Sequence, residues 1–204
     1  MATSHADIID YLTGISPGDR IDALRQARPV ARDNAEASFR ALFQPKDHQA
    51  VSLVERFAIA AYVAAVHGPG TAADFYAGEL NTLHSKIGET VLREAKLAAS
   101  EGPFGNYPDG PLSRENTPGT VYRISAAGRA FLGERLAAGL DHAHLLVFHP
   151  RDAAPEDHQR LFDAGWTTTG IVTLSQIIAF LTFQLRVAHG LAALARTGQK
   201  GTQS

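Results

Sequence analysis

Three groupings of side chains in this sequence are able to carry chemistry. The first is Glu55, His67 and Tyr76. A carboxylate, an imidazole and a phenol around one pocket could do general acid–base work, with the imidazole as proton carrier near neutral pH. Glu55 and Tyr62 are seven apart and share a helix face; His67 falls at that helix's end, and Tyr76 lies on the following one. Two of these candidates also have an ordinary reading. Glu55 stands three residues after Ser52, the spacing of a capping box, and His67 is a cation where the helix dipole favours one.

The second grouping is a polar stripe, Ser175, Thr182, Arg186 and His189, at spacings of seven, four and three. These positions share one face of an otherwise apolar helix. A buried arginine there must meet carboxylates, a subunit interface or a ligand. Arg186, His189 and Thr182 are therefore the candidate binding residues for a small anion, with an ion pair across an oligomer interface as the competing reading. The third grouping is His142, His144 and His149. On a helix, residues two apart point to opposite sides. His142 and His149 share a face but stand roughly 10 Å apart. Neither pair chelates one ion, so the sequence predicts no metal site, and histidines that face solvent or a subunit contact.

Helices must position these groups. Alanine is abundant, alternating β-branched residues are scarce, and apolar residues recur every three or four positions. The spacing predicts helices over 7–12, ended near Gly14; through Leu24 to Ala27, opened by Ser16-Pro17-Gly18-Asp19; over 34–43; and from Ser52 to His67. Thr71 caps a helix running to about Leu80, and Lys86 to Ser100 forms another. Further helices are expected from Ser125 to about Phe148, from Pro155 to Ala164-Gly165, and from Thr167 or Thr168 onward. The expected fold class is all-α.

The chain reads as one domain, 1–204, in two helical halves, 1–100 and 121–197, with a disordered tail at 198–204. Residues 101–120 join the halves and are rich in proline and glycine, around Asn106-Tyr107-Pro108-Asp109-Gly110. A connection of this length is either a functional lid or a tether. Val63-Ala64-Ala65-Val66-His67-Gly68 and Leu185-Arg186-Val187-Ala188-His189-Gly190 both close an apolar helical stretch with His-Gly. Internal duplication is one reading of that short match, and chance is the other.

Composition narrows the chemistry. Apolar residues make up 45% and charged residues 20% of the 204 residues, ordinary for a soluble domain. A net charge of −2 with scattered basic residues argues against nucleic acid and anionic membranes as partners. The chain has no cysteine, which removes thiol nucleophiles, disulfides and thiolate metal sites together. No glycine-rich dinucleotide fingerprint is present, so no cofactor is expected. Met1 to Tyr11 is polar and acidic, and the apolar stretch from Ile171 to Leu194 is interrupted by Gln176, Gln184, Arg186 and His189. These features predict a cytoplasmic location and a buried helix, not a membrane span.

Leu53 to Tyr76 resembles the core helix pair of alkylhydroperoxidase-D-like and carboxymuconolactone-decarboxylase-like proteins, whose pattern is a Glu-bearing apolar helix followed by Asn-Gly-Cys-x-x-Cys-x-x-x-His. Anchored on Gly68, the family cysteines fall at Pro69 and Ala72, the family histidine at Tyr76, and the family glutamate at Phe57, with Glu55 nearby. Ala164-Gly165-Trp166 through Gly190-Leu191 is similar to the closing helices of the family's peroxidase-related members. The resemblance implies an all-α fold that assembles into homo-oligomers, dimer to hexamer. In thiol members the second cysteine attacks peroxide with help from a Glu–His relay, a step that Pro69 and Ala72 cannot perform. What remains is cofactor-free acid–base chemistry on a small carboxylate or lactone, or a non-catalytic binding or assembly role.

Overall fold

The structure, a computed structural model, describes residues 7–199. The fold is all-α. Among the described residues the helices are α1 (Ile8–Thr13), α2 (Arg20–Gln26), α3 (Pro29–Phe43), α4 (Leu53–Val66), α5 (Thr71–Ala98), α6 (Ala126–Leu132), α7 (Glu134–Phe148), α8 (Pro155–Asp163) and α9 (Thr168–Gln199). The only sheet-like pairing among these residues is one antiparallel bridge between Gly105 and Thr117.

At the centre stands α4. Every residue from Arg56 to Ala64 is buried, as expected for a helix that is apolar on all sides. Its small residues, Ala58, Ala60, Ala61 and Ala64, let neighbouring helices approach closely. α5, α9, α7 and α3 pack around it. Along α9, Ile171, Leu174, Ile177, Ile178, Leu181, Gln184 and Ala188 face the core, while Val172 and Phe183 face out. By length and composition α9 is also sufficient to cross a membrane, from Thr168 to Thr197; here one of its faces packs on α1, α3, α4 and α7.

Local chemistry sets the ends of the helices. Ser52 and Glu55 form the expected capping box at the start of α4. Gly14 ends α1 in the left-handed region at φ 69°, a conformation that glycine adopts without steric cost. The Thr167 hydroxyl accepts from the Gly170 amide and so caps α9. Asp19, not Ser16, precedes the first residue of α2.

Three elements differ from the sequence expectation. The helix expected over 125–148 is two, α6 and α7, separated at Gly133 (φ 81°), where the chain turns. The two helices expected around 71–100 are both present: α5 is broken at His84, whose φ −163° and ψ 90° are not helical, between the expected end near Leu80 and restart at Lys86. α9 does not stop at His189-Gly190 but continues to Gln199, so the His-Gly similarity between the halves does not mark equivalent helix ends. Of the expected tail, 198 and 199 are helical and 200–204 lie outside the described residues.

Residues 101–120 are fastened to the C-terminal end of α7. The Phe104 amide donates to the Phe148 carbonyl at 2.6 Å, and the Asn106 amide to Asp152 Oδ1 at 2.9 Å. His149 Nε2 lies 3.0 Å from the Thr120 carbonyl, and the Arg151 guanidinium sits 4.2 Å over the Tyr107 ring. These contacts fit the tether reading of this segment.

The start of α4 is tied to the second half by Arg135. Its guanidinium donates to Glu55 Oε1 at 2.6 Å, to the Gly165 carbonyl at 2.6 Å and to the Ala50 carbonyl at 2.7 Å. It also lies 4.2 Å over the Trp166 ring, whose Nε1–H donates to the Arg135 carbonyl. Glu55→Ala and Arg135→Ala should each lower stability by about 1–3 kcal/mol, because each strips a charge-assisted bond. In urea denaturation the double variant should lose less than the two single losses added, since both remove the same contact; strictly additive losses would contradict the clamp.

Candidate functional site

At the C-terminal end of α4 the chain runs through His67-Gly68-Pro69-Gly70 into α5. The early C-terminal half of α9 passes alongside, and between them lies a cleft of about 370 Å³. His67, Arg186, His189 and Arg196 all line it, together with Gly68, Gly70 and the first residues of α5. No aspartate or glutamate is among its lining residues. Three of the six sequence candidates, His67, Arg186 and His189, therefore meet in one place.

The backbone adds to the positive character. Gly70, at φ 154°, precedes α5, and no side chain caps its first turn. The leading amides of a helix have no partner within the helix and carry the positive end of its dipole. Asp74, the acid of that first turn, lines an adjoining hollow with Glu101, and that hollow shares His67, Gly68, Pro69 and Ala73 with the cleft.

His67 is held in one tautomer. Its Nδ1 lies 2.7 Å from the Val63 carbonyl, which can only accept, so Nδ1 carries the hydrogen. In the neutral ring Nε2 then keeps its lone pair. Desolvation within the cleft lowers the His67 pKa below the ordinary histidine value, and the nearby charge of Arg186 lowers it further; the Val63 contact acts in the opposite direction. His67 is thus a neutral base at physiological pH. Arg186 is exposed and forms no ion pair among the described residues. That corrects the expectation of a buried arginine needing a carboxylate: its position on α9 looks into the cleft and away from the core.

The other three candidates lie elsewhere. Glu55 is at the opposite end of α4, roughly 18 Å along the helix axis from His67, where its carboxylate serves Ser52 and Arg135. Tyr76 has no solvent exposure, and its hydroxyl donates to Gln184 Oε1 at 2.5 Å. Burial pushes the phenol pKa far up. The helix register places Tyr76 on the core side of α5, so it cannot join the cleft. Thr182 donates back to the Ile178 carbonyl at 2.9 Å and lines a different, largely apolar groove with Leu146, Ala179, Phe183 and Val187. Arg186 alone borders both. None of residues 101–120 lines the His67 cleft.

Arg196 was not legible as a site residue, because it stands where the apolar helical pattern gives way to the polar residues that follow. Its three- and four-residue spacing from His189 through Ala192 was the available signal. The histidines of α7 also depart from expectation. His142, His144 and His149 are all buried, at 5%, 1% and 3% exposure. The opposite sides of α7 are both covered, by α4 and α9 and by α6 and α8. Burial holds the His142 pKa down at about 4, with His158 contributing, and His144 at about 4, with His149 contributing.

Comparison with protein-family models, with curated proteins and with solved structures finds no match to this chain.

The buried histidines set an acid limit on stability. Both are neutral in the fold, while in the unfolded chain they take up protons near the ordinary value of 6.5. The unfolded state therefore binds more protons between about pH 6.5 and 4, and stability falls as pH falls through that window, by up to about 1.4 kcal/mol per pH unit for each group. Urea midpoints measured from pH 7.5 down to 4.5 should show this slope, and His144→Phe should reduce it; a flat profile would contradict neutral burial.

Proposed function

We propose that the cleft at the end of α4 binds a small organic anion and that His67 acts there as a cofactor-free base. The observation that carries this reading is the convergence of His67, Arg186, His189, Arg196 and the uncapped start of α5 on one cleft with no lining carboxylate. A carboxylate ligand would take its first bonds from Arg186 and the α5 amides, which suit its geometry and charge. Its neighbouring carbon–hydrogen bond would then face the Nε2 lone pair of His67. Proton removal beside a carboxylate or lactone carbonyl leaves an enolate, whose negative charge the same cationic groups stabilise.

This function accords with the resemblance to the carboxymuconolactone-decarboxylase-like proteins, and we infer membership of that superfamily on the α4–α5 helix pair joined at Gly68. Reduction of peroxide by a cysteine pair is excluded by composition. Glu55 and Tyr76 are assigned structural roles in this mechanism, and Thr182 none.

A second reading, a homo-oligomer assembled through α9, is favoured by a specific feature: Val172, Phe183 and Leu194 are about half exposed on that helix. The groove of Leu146, Ala179, Phe183 and Val187 runs beside them. Phe183→Asp should convert such an assembly to monomer in size-exclusion chromatography, whereas an unchanged elution volume would exclude this face.

The catalytic reading is tested by incubating the protein with a panel of small carboxylates and lactones in D2O and following α-proton exchange by NMR. His67→Ala should abolish exchange while leaving binding and fold intact, because it removes only the base. Arg186→Ala should weaken binding by about tenfold or more, and Glu55→Gln should leave both unchanged. Binding that ignores Arg186, or exchange that survives His67→Ala, would overturn the assignment.

A further inference from the structure

The hollow that adjoins the His67 cleft is the larger of the two, at about 850 Å³. It exists because α5 is broken. In an unbroken helix Ala77 and Leu92 would stand roughly 22 Å apart; with the break at His84 both line this one hollow. The two arms of α5 close on each other near the break, where a Cβ on Gly88 would run into the Asn81 side chain. Ala65 of α4, Ala73 and Ala77 of the first arm and Leu92 of the second are each partly buried, and they offer the hollow an apolar wall.

His67, Gly68, Pro69 and Ala73 line both spaces. The sill between them is low, since Gly68 has no side chain and Ala73 only a methyl. A molecule against the His67 ring can therefore reach into both. The two sides differ in charge. The cleft carries Arg186, His189 and Arg196 with no acid, whereas the hollow carries Asp74 and Glu101 against one cation, Lys96. A carboxylate is favoured on the first side and meets its own sign of charge on the second. An apolar group, by contrast, leaves water when it settles on the alanines and Leu92.

From this arrangement we propose that the substrate of the His67 site is a monocarboxylate whose acidic carbon carries an apolar substituent, a specificity that rests on the acid–base reading above. The carboxylate lies on Arg186 and the α5 amides, the C–H faces His67 Nε2, and the substituent crosses Gly68 and Ala73 to Ala77 and Leu92. Nε2 takes the proton and the C–H electron pair moves into the carboxylate as an enediolate. The ring, after exchanging that proton with solvent, returns one to the carbon. A dicarboxylate would set its second charge beside Asp74 and Glu101 and is selected against.

The test is calorimetric titration of the full chain with acetate, hydrocinnamate and succinate. Hydrocinnamate should bind at least about tenfold more tightly than acetate, and succinate no more tightly than acetate. Leu92→Asp should bring hydrocinnamate down to the affinity of acetate. Ala99→Glu, at the exposed rim of the same hollow, should weaken hydrocinnamate in the same direction and serves if the Leu92 variant does not fold. Asp74→Asn combined with Glu101→Gln should raise succinate binding severalfold. Equal binding of acetate and hydrocinnamate, both lost in Arg186→Ala, would overturn this inference and leave the anion cleft standing. Succinate binding as tightly as hydrocinnamate would also overturn it, while no heat from any of the three would overturn the anion cleft itself and this inference with it.

Discussion

The contact on which the architecture depends is the one Arg135 makes. A single guanidinium reaches the first turn of α4, the loop before it, and the turn between α8 and α9, and it lies flat on Trp166. Its planar fork of donors suits this work in a way that a lysine ammonium does not. The helices it joins come from distant parts of the chain, so it fixes the angle at which α4 enters the core. Gly139 completes the fit: a Cβ there would stand 2.8 Å from Trp166 Cζ2. Since α4 is buried on all sides, its entry angle also determines where its far end emerges, and that end is where His67 and the following loop open a cleft.

A second charged assembly holds the N-terminal elements. Arg25, itself buried, pairs with Asp7 at 2.8 Å and with Asp10, while Arg32 reaches Asp10 and Asp22. Asp7 also accepts from the Asp10 amide as the cap of α1. Clusters of this kind are satisfied bond by bond, which limits the cost of taking charge out of water. Their energetic weight lies in specifying one arrangement of α1, α2 and α3 against α9. The cationic cleft is the converse case: its arginines and histidines are left without carboxylates, and the helix start beside them without a cap.

The helical class and most helix starts were legible because they rest on local chemistry: Ser52 with Glu55, Gly14, Thr167 and Pro155 each act within one turn. The break at Gly133 was not, because a single glycine is compatible with a helix interior, and tertiary packing decides. The His67, Arg186 and His189 convergence was readable in part, since each candidate came from a local pattern. Their meeting depended on how α4 and α9 cross, which no local pattern contains. Glu55 shows the opposite outcome. Its capping-box spacing was visible and was its true role, and Arg135, eighty residues away, completed it. The α7 histidines were placed on opposite sides of the helix, which is correct, but both sides are covered.

Beyond Ala188 no residue of α9 through Thr197 is fully buried, although Leu191 still touches the core, and the helix continues to Gln199. One wall of the His67 cleft, including His189, Ala192 and Arg196, stands on that extension. Substitutions there disturb few packed neighbours, whereas changes on α4 disturb many. The chain thus separates the part that must stay constant for folding from the part that would choose a ligand under the proposed function. Under the proposed function, ligand preference is free to drift along a few exposed helical turns, with little consequence for whether the molecule folds.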